Sequence, residues 1–81
     1  MDSPIESWIV DSGGSFHCSP YRDLFHNFVL GQYGKVYLAD TKALDIVGKG
    51  DVSVRTSNGG IWKLENVRYI PSLKKNLISI G

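Results

Sequence analysis

Trp8-Ile9-Val10-Asp11-Ser12-Gly13-Gly14 reads as an apolar strand that runs into an acid, a hydroxyl and two glycines. A carboxyl group at the end of a buried strand must find hydrogen-bond donors or neutralise itself. The Ser12 hydroxyl and the free N–H groups of a tight turn can supply those donors. Gly13 and Gly14 let the backbone turn sharply and approach a ligand or a second chain closely. The stretch therefore presents a carboxylate on a sharp loop after a strand. The plainer reading is a strand-ending turn capped by the Asp11 side chain. The three residues Asp11-Ser12-Gly13 do not separate the two by themselves.

Outward from this stretch the chain is a series of short β-prone runs between turn signals. Residues 35–39 alternate polar and apolar side chains with period two, and residues 43–47 follow after a turn. In residues 51–56, Val52 and Val54 fall on one face. Asn58-Gly59 between this run and 61–67 is a strong hairpin signal, because both residue types accept positive φ. Residues 77–80 form a last apolar run. Only 20–30 suggests a short helix, with Ser19 as cap, Pro20 at the first position and Leu24, Phe25 and Phe28 on one side. Short strands at regular spacing predict an all-β fold, a small barrel or sandwich.

With 81 residues the chain holds one small domain with a modest core. Such domains often need a disulfide, a metal or a partner subunit. Cys18 is the single cysteine, so no disulfide can form within the chain. Cys18, His17 and His26 do not make a zinc set, and no metal or cofactor is expected. That leaves oligomerisation as the way to complete the core. The net charge of +1 and the scattered basic residues give no footprint for nucleic acid. No apolar run is long enough to span a membrane. Residues 1–7 are polar and acidic, unlike a secretory signal, and are expected to be a flexible lead. An intracellular, reducing setting follows as the expectation. Trp8 and Trp62 are expected as packing anchors, and His17 and His26 as surface or half-buried residues. His17 and Cys18 are not a catalytic pair, because neighbours on an extended segment point to opposite faces.

The order of these pieces resembles a known family. Apolar-apolar-Asp-Ser-Gly-small is the motif of the retropepsin-like aspartic proteases. The stretch from Trp8 to His17 is similar to its copia-type retrotransposon branch, Trp-apolar-apolar-Asp-Ser-Gly-Ala-Ser-x-His, with Gly14 where Ala is usual. Residues 20–25, 36–40, 47–52, 67–71 and 76–81 resemble later parts of the same branch, so the likeness spans 8–81. The resemblance implies a small closed retropepsin-like barrel with a hairpin flap over 35–51. It implies an aspartic endopeptidase that processes its own Gag-Pol polyprotein in the cytoplasm, within the particle of a retrotransposon. The partners it implies are a second copy of the chain, in a homodimer, and a polypeptide substrate. It assigns Asp11, Ser12 and Gly13 to the catalytic loop. It places Ala39, Asp40, Thr41, Lys42 and Ala43 at the substrate-covering flap tip, and Gly14, Ile80 and Gly81 as support for the loop.

The departures from the family pattern shape the rival readings. Gly14 loosens the loop, and Phe16 prevents transfer of substrate contacts. The helix and dimer strand usual after the family's apolar-apolar-Gly run do not follow Gly81, so a fragment or a decayed genomic copy is expected. The rivals are a catalytically silent domain of the same fold and an unrelated small β interaction module. A nucleic-acid binder ranks below both.

Overall fold

The computed structural model describes residues 2–11, 16–37 and 43–79, with Asp11 described in its backbone only. It is all-β: nine strands and two short 3-10 turns, with no α-helix among the described residues. The strands are β1 (Ser3–Pro4), β2 (Trp8–Asp11), β3 (Cys18–Ser19), β4 (Phe25–Leu30), β5 (Lys35–Tyr37), β6 (Ala43–Asp45), β7 (Gly48–Arg55), β8 (Ile61–Tyr69) and β9 (Asn76–Ser79).

Seven of them form one sheet in the order β1-β7-β8-β3-β9-β2, with β4 also paired to β7. The long β7–β8 hairpin is its backbone. In β7 burial alternates with period two, so Gly48, Gly50, Val52 and Val54 all face inward. Its turn differs from a two-residue hairpin. The Gly59 N–H donates to the Thr56 carbonyl, the Thr56 N–H donates to the Gly60 carbonyl, and only Gly59 takes positive φ, +89°. That is a turn followed by a glycine bulge, which adds one residue to the loop.

Two apolar clusters lie on this framework. The larger joins Trp8, Phe25, Val52, Val54, Leu64, Val67 and Ile78. The smaller joins Cys18, Ile46 and Ile70, with Tyr33, Val36, Leu44, Leu73 and Leu77 packed against it. Phe25, Phe28 and Tyr69 meet edge to face, with ring centroids 5.4–5.7 Å apart. The Phe28 ring lies over Gly48, where any Cβ would collide with it.

Four local expectations change. The segment 20–30 is not helical: a 3-10 turn at Arg22–Leu24 leads into β4. Pairing of Phe25 with Val52 buries the Phe25 ring, and a register shift with Asn27 at φ +52° lets Phe28 join it. The hairpin expected over 35–51 ends at Asp45, because 48–55 belongs to the main sheet. The lead 1–7, expected to be flexible, contributes β1, whose Ser3 and Pro4 pair with Val54 and Arg55. Of the two tryptophans, Trp8 is buried, but Trp62 is 45% exposed beside the turn of the β7–β8 hairpin.

Candidate active site around Asp11

Asp11 is the last residue of β2, and β2 lies parallel to β9. The register sets Trp8 beside Asn76, Ile9 beside Leu77, Val10 beside Ile78 and Asp11 beside Ser79. Parallel pairing of strands so far apart in sequence cannot come from a turn, so other contacts must fix it. At the start of β2 the Trp8 indole N–H donates to the Ser3 hydroxyl at 3.0 Å. At the start of β9 the buried Asn76 carboxamide oxygen accepts from Ser19 Oγ at 2.5 Å. At the end of β9 the Ser79 N–H donates to His17 Nδ1 at 3.0 Å.

His17 thus touches two strands. Its own carbonyl accepts the Arg68 N–H of β8 at 2.8 Å, while its ring reaches β9. An Nδ1 that accepts carries no proton, so this imidazole is neutral and its hydrogen sits on Nε2. Burial pushes its pKa below the ordinary value. Next to it, the Arg68 guanidinium lies 4.3 Å from the centroid of the Phe16 ring. The expectation of a half-buried histidine holds. Its acceptor role was not legible, because nothing local to residue 17 says that Ser79 will be opposite.

Ser12, Gly13 and Gly14 lie outside the described residues, as do Ile80, Gly81 and the flap positions Ala39, Asp40, Thr41 and Lys42. Ala43 is described: it opens β6 and pairs with Tyr37 of β5. The stem of that hairpin is tied to the body by Val36 and Leu44, which pack on the smaller cluster. Lys35 and Asp45 close it with an exposed ion pair at 2.5 Å. An open depression at its base is lined by Gln32, Gly34, Lys35, Asp45, Ile46 and Val47, none of them an expected site residue. Among the described residues no three His, Cys, Asp or Glu side chains group to hold a metal ion.

Residues 8–81 match the family described as the Pol polyprotein, beta-barrel domain. The chain belongs to that family. It is 39% identical over 79 residues to the retrovirus-related Pol polyprotein from transposon TNT 1-94 of Nicotiana tabacum, covering 98% of this chain and 6% of that protein. It is 36% identical to the retrovirus-related Pol polyprotein from transposon RE2 of Arabidopsis thaliana, and 33% identical to that from transposon RE1 of the same plant. Each of these matches covers 99% of this chain and 6% of the relative. The chain thus spans a small part of the curated relatives it matches. No solved structure matches it. The chain is a segment of a copia-like retrotransposon Pol polyprotein, which removes the reading as an unrelated β module.

Proposed function

We propose that this segment is the aspartic endopeptidase of its retrotransposon polyprotein, built as a closed retropepsin-like barrel that works as a homodimer. The observation that carries the reading is the placement of Asp11. It ends a strand that runs parallel to β9, within an apolar-apolar-Asp-Ser-Gly motif. A carboxylate at such a strand end stands on a rigid element, which suits a group that must be positioned for proton transfer.

One carboxylate cannot complete the chemistry, so the second comes from Asp11 of a second copy. Two carboxyl groups held close cannot both ionise and share one proton. The ionised member takes a proton from water, which attacks the scissile carbonyl of a polypeptide. The protonated member donates to the carbonyl oxygen, and the roles reverse when the leaving nitrogen is protonated. Ser12 and Gly13 hold the paired loops, and Gly14, Ile80 and Gly81 support them from the side. Residues 39–43 form the tip of a hairpin lid that excludes water over the bound peptide. The products are the polyprotein's separated parts, released in the cytoplasmic particle of the element.

The test is self-processing of a longer polyprotein that carries this segment. Wild type should cleave, and Asp11→Asn should not, with its β-sheet circular dichroism unchanged. Pepstatin should stop the wild type. Equal cleavage by wild type and Asp11→Asn would leave a domain whose role is not catalytic.

A further inference from the structure

We propose that His17 is a positioning residue, whose neutral imidazole accepts the Ser79 backbone N–H and fixes the end of β9 in the register that sets Ser79 beside Asp11. For its bearing on catalysis this rests on the protease reading above.

The argument starts from the hydrogen-bond accounts of β9. On one edge β9 is paired with β2 along its full length. On its other edge stands β3, but that pairing is a single bridge, Cys18 opposite Leu77. Peptide groups along a strand alternate between its two edges, so the Ser79 N–H faces the β3 side two residues beyond that bridge. A buried or half-buried N–H needs an acceptor. Strand β3 starts only at Cys18, and the His17 ring supplies what a further ladder carbonyl would have supplied, at 3.0 Å. The ring in turn is held because the His17 carbonyl accepts the Arg68 N–H, and Arg68 is the β8 residue opposite Cys18. His17 therefore links β8 to the end of β9, which in turn flanks the end of β2.

This device depends on protonation. An imidazolium has N–H on both nitrogens, so it would face the Ser79 N–H donor to donor, and the bond would be lost. The charged groups on the strands around it are Arg68 of β8 and, across β9, Asp11 of β2; Cys18, the first residue of β3, is its titratable neighbour in sequence. Burial opposes a cation at this position. The imidazole thus accepts the Ser79 N–H while neutral and loses that bond when protonated.

The experiment pairs two substitutions. In Asn the carboxamide oxygen sits near the position of Nδ1, whereas in Gln it sits further out, near Nε2. On the chain itself, nitrogen NMR at neutral pH should show an unprotonated Nδ1 coupled across the hydrogen bond to the Ser79 amide. His17→Asn should keep the wild-type stability, while His17→Gln should lower the folding equilibrium about tenfold, the loss of one hydrogen bond. In the polyprotein, self-cleavage should fall in His17→Gln and be restored in His17→Asn. A protonated Nδ1, or Asn and Gln variants that behave alike, would overturn the proposal; the wild-type spectrum decides this even where a variant does not fold. Cleavage that survives Asp11→Asn would remove the protease reading and leave the Nδ1 signature untouched, so the two failures are distinguishable.

Discussion

The Trp8 indole N–H donates to the Ser3 hydroxyl at 3.0 Å, and both residues are buried. The Ser3 hydroxyl in turn donates to the Ser53 carbonyl of β7 at 3.3 Å. A short edge strand is thereby stitched to the start of the strand that ends in Asp11. Ser3→Ala leaves the indole N–H buried without this acceptor and should cost about 1–3 kcal/mol. Adding Trp8→Phe removes the stranded donor, so the double variant should lose less than the sum of the single effects. Urea unfolding of the four species checks this cycle, and simple additivity would show that the bond contributes nothing.

The Ser19–Asn76 pair should behave in the same way on the β9 side of the same end of the β2–β9 ladder. Ser19 Oγ donates to Asn76 and accepts the Tyr21 N–H at 3.1 Å. Ser19→Ala deletes both bonds at a fully buried position, and a loss of about 1–3 kcal/mol is expected. Amide exchange should speed up at β9 as well as at Tyr21.

Gly50 is fixed by space. A Cβ there would lie 2.8 Å from the His26 carbonyl oxygen and 3.2 Å from Phe28 Cα, both backbone atoms of β4. Neither can swing aside, so Gly50→Ala must push β4 off β7 and should cost about 1–3 kcal/mol. Gly59→Ala meets open space, but its φ of +89° is strained for any side chain. Its cost should be roughly 1–2 kcal/mol and confined to the hairpin turn. Denaturation midpoints together with turn-specific exchange rates distinguish the two causes.

Acid should destabilise the chain through His17. Burial holds its folded pKa below the ordinary 6.5. The unfolded chain therefore takes up the proton first. The stability contributed by the neutral ring is fully present above pH 6.5 and is lost as pH falls through the folded value. Unfolding free energy should drop between about pH 7.5 and pH 5 in wild type and stay flatter over that window in His17→Asn. Parallel pH profiles in the two proteins would count against the linkage.

The Lys35–Asp45 pair is close, at 2.5 Å, but both side chains are more than half exposed. Solvent screening leaves little net stabilisation in such a pair. Lys35→Ala should leave the thermal midpoint unchanged at physiological salt.

Much of the framework was legible from local pattern. The alternation at Val52 and Val54 placed β7, and Asn58-Gly59 placed the hairpin. Other features were not legible, because a distant partner decided them. Leu24, Phe25 and Phe28 satisfy a helical spacing, yet pairing with β7 draws 25–30 into a strand, where Phe25 gains a buried position against Val52 and Tyr69. The polar lead 1–7 carries no strand signal, and Ser3 is ordered by the open edge of β7. Cations that look scattered in sequence are also paired by register: Lys49 stands opposite Arg68 across the β7–β8 hairpin.

By itself, the sequence determined an all-β chain and the family resemblance of its Asp-Ser-Gly-Gly stretch. These rest on residue types close together in the chain, where side-chain period and glycine's conformational freedom act locally. The tertiary structure alone decided that β9 lies parallel to β2, that Asn76 and Trp8 are neighbours, and that the ring of His17 serves residue 79 as a hydrogen-bond acceptor. Those facts depend on the register of strands far apart in sequence. Register is set by the joint burial of two apolar clusters and by hydrogen bonds that exist only once the sheet has formed.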